Sequence, residues 1–210
     1  MYKNSITLLV AFLCLMSVAT AQTKTVVKDA TNYKTKLKQI AKETSSISAS
    51  FKQEKIVSFM NEPQLSEGLF YYQQKDKMRW EEQKPNAYIL LINAEKIRIK
   101  EGGKEKKMGG AAKMMAQINS LMISLINGDI FESKDFTSQY FETSNRFIVE
   151  LTPKNKKLKS IFNTIELSFD KKTLRLKKLT FNEKSGDKSM MTFFNEKFNQ
   201  TLKNSLFTNF

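Results

Sequence analysis

The sequence predicts a mainly β, antiparallel fold carrying two helices. Three observations predict it. Short runs of alternating apolar and polar residues, separated by polar turns, recur through most of the chain, and strand side chains alternate between faces with a period of two. Only two stretches, Val26–Glu43 and Ala111–Asn127, carry apolar residues at helical spacing. No internal repeat and no Gly/Ser/Pro linker divides the chain, so residues 22–210 are expected to form a single domain.

Residues 1–21 read as a cleaved secretory signal peptide. Lys3 gives a short positive start, Ile6 to Val18 is apolar but short for a membrane span, and Ala19-Thr20-Ala21 is a small-x-small cleavage site before Gln22. A retained N-terminal anchor is the rival reading. Cys14, the single cysteine, lies inside this segment between Leu13 and Leu15. It lacks the preceding small residues of a lipoprotein signal, so no lipid is expected on the chain itself. The mature chain then has no disulfide despite its export, and its core must hold it together.

There is no histidine. Its absence, with that of cysteine, removes imidazole and thiolate metal sites, Cys-His pairs and Ser-His-Asp triads. No paired-carboxylate motif stands out, so the expectation is no enzyme, no metal and no cofactor. Lys and Arg number 35 against 21 Asp and Glu, a formal charge of +14. In an exported protein such charge meets anionic membrane surfaces or acidic polymers rather than nucleic acid. Spread as lysine over turns and polar strand faces, it reads first as a solvated surface.

In chain order, Val26, Val27, Ala30, Tyr33, Leu37, Ile40 and Ala41 place a first helix over Val26–Glu43, a cover for a sheet. A strand follows from Ile47 to Phe59. Ser66 to Pro85 is a hairpin around the polar turn Gln73–Lys77. Phe70, Tyr72, Met78 and Trp80 share one of its faces, and Arg79 and Glu81 take the other. That aromatic face is either plain core or the wall of a cavity for an apolar ligand. Tyr88–Ile92 and Lys96–Lys100 complete five strands in succession, an antiparallel meander with Ile97 and Ile99 facing in. Glu101–Gly110, with four glycines, reads as a flexible exposed loop.

Ala111–Asn127 is the second helix. Ala111, Met114, Met115, Ile118, Leu121, Met122 and Leu125 form one stripe, soft and adaptable where methionine dominates, and Gly128 is a plausible stop. An ordinary sheet-packing helix would look the same. Phe131 and Phe136 fall in a connector. Strands resume from Tyr140, over Arg146–Leu151, Ile161–Phe169, Leu174–Phe181 and Ser189–Phe198, with a short end at Leu202–Phe210. Lys154–Lys159 is a basic turn. The total is about ten strands, enough for a barrel or sandwich.

Ala49-Ser50-Phe51-Lys52-Gln53, Gly68 with Phe70 and Tyr72, and Arg79-Trp80-Glu81 with Pro85 resemble the LolA family of periplasmic outer-membrane lipoprotein carriers. Leu151-Thr152-Pro153, the Phe169-Asp170 turn and Leu206-Phe207 fit the same outline. The resemblance runs in order over nearly the whole mature chain. It implies an unclosed antiparallel β-barrel, a half-barrel, with a helical lid, and a monomeric periplasmic protein that binds lipoprotein acyl chains. Cargo would come from an inner-membrane ABC lipoprotein exporter and pass to an outer-membrane acceptor. The alternative is a module of the same fold for another envelope lipid, as carrier or sensor.

Under that reading Phe51, Phe70, Tyr72, Met78, Trp80, Ile97 and Ile99 form the cavity wall. Met114, Met115, Ile118, Leu121, Met122 and Leu125 form the lid, hinged at Gly109-Gly110. One departure stands out. The family pattern has Arg-Pro six and five residues before the Trp, where this chain has Gln74 and Lys75. The family's arginine helps latch the lid. Gln74 can still donate a hydrogen bond, but without charge, and a weaker latch is expected.

Overall fold

The computed structural model describes residues 23–94, 96–106 and 120–210. The signal peptide, the Gly109-Gly110 hinge, and Met114, Met115 and Ile118 lie outside the described residues. Among the described residues, twelve antiparallel strands form one open sheet: β1 Thr25–Val26, β2 Ser46–Ile56, β3 Gln64–Gln73, β4 Lys77–Lys84, β5 Tyr88–Asn93, β6 Lys96–Glu101, β7 Lys104–Lys106, β8 Phe136–Glu142, β9 Arg146–Pro153, β10 Phe162–Asp170, β11 Leu176–Glu183 and β12 Lys188–Phe198. Their order is β1-β8-β9-β10-β11-β12-β2-β3-β4-β5-β6-β7. β1 and β7 are the two edges, so the sheet does not close into a barrel.

Helix α1, Thr31–Glu43, and helix α2, residues 120–127, pack on the apolar face of this sheet. A single turn, α3 Lys156–Lys159, replaces the predicted basic turn. The sheet curls around its apolar face, because side chains of β4 and β5 line the same cavity as side chains of β10, β11 and β12.

The five-strand meander β2 to β6 is present in the predicted order. Two strands were not expected. The first helix was predicted from Val26, but Val26 pairs with Phe141 on β8, and Val27 N–H donates to Tyr140 O (2.8 Å). β-branched residues suit a strand better than a helix end. The helix begins instead at Thr31, whose N–H donates to Asp29 Oδ1 (2.9 Å), a side-chain bond that satisfies one orphan donor of the first turn. The second is β7. Lys104–Lys106, read as flexible loop, pairs with β6. Gly102 and Gly103 both take positive φ, 55° and 79°, which lets two residues reverse the chain.

A third difference lies in β11. Strict alternation would put Leu176 and Leu179 on opposite faces. A register shift between Ser168 and Phe169 on β10 pairs Leu176 with Phe169 and Leu179 with Leu167. The irregularity returns both leucines to the core side.

The outer face of the central hairpin is also covered. The C-terminal segment, with a 3-10 turn at Asn204–Phe207, crosses β4. Arg79 is buried there. It pairs with Glu81 (2.6 Å) and donates to the carbonyls of Leu206 (3.2 Å) and Asn209 (2.8 Å).

Candidate functional site

β3 and β4 present the site. Phe70 pairs with Trp80 and Tyr72 with Met78 across the hairpin, so all four side chains share the inner face and all are buried. Phe51 on β2 packs against Trp80 with ring centroids 4.0 Å apart and planes tilted by 30°, and Phe70 meets the indole edge-on at 5.9 Å. This packing depends on Gly68, which pairs with Phe51. A Cβ built at Gly68 would lie 1.9 Å from Glu81 O and 2.8 Å from Phe51 Cζ.

Below this cluster is a cavity of about 260 Å3, lined by Met78, Trp80, Leu90, Met122, Phe162 and Phe181. Lys55, Glu82, Tyr88 and Glu183 also line it and supply its polar rim. A smaller apolar gap of about 100 Å3 lies between α1, α2 and the sheet, against Leu37, Leu125, Phe131, Phe169 and Phe193. Met122 borders both spaces.

The predicted wall residues divide accordingly. Met78 and Trp80 line the larger cavity and Phe70 the smaller. Phe51 and Tyr72 are fully packed behind them, while Ile97 and Ile99 are half-buried on β6 beside Ile92 and Leu90. The predicted lid residues Leu121, Met122 and Leu125 are buried against the sheet. Leu90 reaches the cavity from the strand that follows the hairpin in the meander, and Phe162, Phe181 and Met191 from strands that sequence reading had not joined to the hairpin. Neither their inward face nor their position across the curl was legible: register shifts lie between Phe162 and Thr164 and between Ser168 and Phe169, so Phe162 and Phe181 fall out of the alternation read from Ile165, Leu167 and Phe169 and from Leu174 and Leu176.

α2 is held at its C-terminal end. Tyr72 donates its hydroxyl to Asn127 Oδ1 (2.9 Å). Gly128, at φ 79°, stops the helix, and a Cβ there would lie 3.2 Å from Ala41 Cβ on α1. Just beyond, Glu132 pairs with Lys38. Gln74, the predicted latch, hydrogen-bonds at α1. Its amide donates to Thr44 O (3.2 Å) and Lys42 O (3.4 Å) at the end of α1. Among the described residues it is Tyr72 that ties this hairpin to α2 by a hydrogen bond.

Electrostatics mark the rim. Burial, reinforced by the Glu82 and Glu101 carboxylates, pushes the Tyr88 phenol up to about 12. Burial raises Glu82 as well, opposed by a hydrogen bond from Trp80. A phenol that holds its proton more tightly when folded contributes stability that is fully present below pH 10 and lost as the pH rises through about 12. Tyr88→Phe is therefore expected to lose less stability than wild type across that window. Urea midpoints at the two ends measure it, and the difference between the proteins removes the common lysine titration. Equal losses would show that Tyr88 is solvated.

Among the described residues no cluster of His, Cys, Asp and Glu could hold a metal ion. The family model for the outer membrane lipoprotein carrier protein LolA matches residues 42–209. The chain belongs to the LolA family. The match begins in the last turn of α1 and takes in every strand from β2 onward. No curated protein matches the chain.

Solved structures resemble this LolA-family chain at low identity. A LolA superfamily protein from Nitrosomonas europaea is 13% identical with a TM-score of 0.43, covering 87% of this chain and 99% of that one. A DUF1329 family protein from Desulfovibrio piger is 11% identical with a TM-score of 0.47, covering 85% and 97%. MucB in the Pseudomonas aeruginosa MucA/MucB complex is 14% identical with a TM-score of 0.40, covering 85% and 60%.

Proposed function

We propose that this chain is a periplasmic carrier that binds lipoprotein acyl chains on the apolar face of its sheet and moves them from the inner to the outer membrane. Membership of the LolA family supports the class. The observation that carries the reading is α2. Leu121, Met122 and Leu125 fill space that the aromatic hairpin and the facing strands would otherwise leave open. With α2 in place the larger cavity is about 260 Å3, below the usual 300–1,000 Å3 of ligand pockets. Cargo therefore has to displace the helix.

The energetics favour such exchange. Acyl chains left in water cost about 0.8 kcal/mol per CH2, so the cargo must never be released free. Without cargo, α2 covers the same surface. One apolar occupant replaces another, and binding stays moderate enough for onward transfer. An inner-membrane ABC exporter would load the carrier and an outer-membrane acceptor would unload it. The chemistry in this reading is burial and release, with no covalent step.

Native mass spectrometry of the mature protein with a triacylated lipoprotein, and with the same lipoprotein deacylated, tests it. A one-to-one complex is expected with the acylated form alone. Complexes with neither form would overturn the lipoprotein reading, and lipids that co-purify with the protein would then identify a different envelope lipid as cargo.

A further inference from the structure

Among the described residues, the exposed large apolar side chains other than Val26 on β1 gather at one turn. Phe59 is 86% exposed and Leu65 66%, with Ile56 and Met60 at 41% and 42%. All four lie on or beside the connection from β2 to β3. The turn is fixed in place rather than loose. Val57 is buried beneath it, Met60 N–H donates to Val57 O (2.9 Å), and Ser58 N–H donates to Asp187 Oδ1 (3.0 Å) on the β11–β12 turn. Phe59 is thus held out in solvent by a built support.

Strand register locates this tip. The pairs Lys55 with Gln64, Lys188 with Ile56, Phe162 with Glu183, and Glu82 with Tyr88 bring the β2–β3, β4–β5, β9–β10 and β11–β12 connections to one end of the sheet. The rim of the larger cavity, with Lys55, Glu82, Tyr88 and Glu183, is at the same end. So is a basic surface. The β9–β10 connection carries Lys154, Lys156, Lys157 and Lys159, all exposed and with no carboxylate among them. Lys184 adds to it from the β11–β12 turn. Against these lysines stand Glu62 and Asp187 in the turns, Asp135 beside the β9–β10 connection, and Glu82 and Glu183 at the rim; Asp187 is engaged by Ser58 and Asp135 by Asn155.

We propose that this end docks on an anionic lipid bilayer, with Phe59 and Met60 inserted among the headgroups and the lysines against lipid phosphates. A specific protein partner would be expected to cover about 800 Å2 of this chain. One narrow apolar tip flanked by flexible lysines has instead the chemistry of interfacial insertion plus attraction to anionic lipid. Docked this way, the cavity rim faces the membrane. The benefit to transfer rests on the carrier reading, because acyl chains could then pass without crossing bulk water. The docking itself requires no cargo.

The test uses cargo-free mature protein and sedimented vesicles of phosphatidylcholine, with and without phosphatidylglycerol. Partition onto the phosphatidylglycerol vesicles is expected, weakened by salt. Phe59→Ser combined with Met60→Ser should reduce it about tenfold or more, while the urea midpoint and binding of acylated lipoprotein in solution stay as in wild type. Two results overturn the proposal. Either wild type ignores both vesicles, which would leave a protein as the partner of this tip, or the double variant partitions like wild type, which would reduce binding to adsorption by lysine. Loss of lipoprotein binding with vesicle partition intact would count against the carrier reading and leave the docking standing.

Discussion

Gly68→Ala is expected to destabilise the fold by about 3 kcal/mol, near the upper end of the usual cost of overpacking. With a urea dependence of 1–3 kcal/mol per molar, typical of small proteins, the midpoint should fall by roughly 1–3 M. Gly68 is not needed here for an unusual backbone angle. It is needed because two other groups occupy the place of its side chain. The added carbon would lie 1.9 Å from the backbone oxygen of Glu81 and 2.8 Å from the tip of the Phe51 ring. The ring contact can be removed, but the backbone contact cannot without shifting β4 against β3. Adding Phe51→Leu should therefore rescue little. Full rescue would show that the ring alone made the clash, and a change within about 0.5 kcal/mol would show that the close approach is absent in solution.

Met122→Asp should release α2 while leaving the sheet folded. Met122 is buried between the two apolar spaces. A carboxylate there has no partner among the lining residues of the smaller space, except Arg175 toward its edge. Lys55 lies at the rim of the larger one. Burying a charge without a close partner costs several kcal/mol. The cheapest relief is to lift the helix, whose C-terminal end the Tyr72–Asn127 bond and the Gly128 contact hold. Hydrogen exchange over residues 120–127 should accelerate about a hundredfold, the equivalent of ~2.8 kcal/mol. Trp80 emission should move to longer wavelength as its cavity fills with water. Unfolding of the sheet in the same step would overturn this picture, because α2 would then be part of one indivisible core rather than a removable cover.

These two positions differ in how they could be read. The hairpin was legible because its information is local. A period-two pattern across a polar turn places Phe70, Tyr72, Met78 and Trp80 on one face whatever the rest of the chain does, and the register agrees. Gly68 was visible as part of the family-like motif with Phe70 and Tyr72, without the reason for it. The need for it comes from the neighbouring strands, the Glu81 backbone oxygen on β4 and the Phe51 ring on β2. Likewise, the stripe through Leu121, Met122 and Leu125 announced a buried helical face. The aromatics it would cover, on β4, β11 and β12, could not be read from the stripe.

By itself the sequence determined the strand-rich antiparallel class, the meander from β2 to β6, the inner face of the central hairpin and the family resemblance. All of these depend on residues close together in the chain. Only the tertiary structure decided the rest. Val26 became an edge strand because β8 offered it a partner. Lys104–Lys106 became a strand because β6 did. Leu176 and Leu179 came to share a face through a register shift, Gln74 turned to the end of α1, and Phe162 and Phe181 crossed the curl to meet Trp80. The physical reason is common to these cases. Backbone pairing and side-chain packing reward contacts between distant segments, and a local pattern specifies which face is apolar but not what that face will meet.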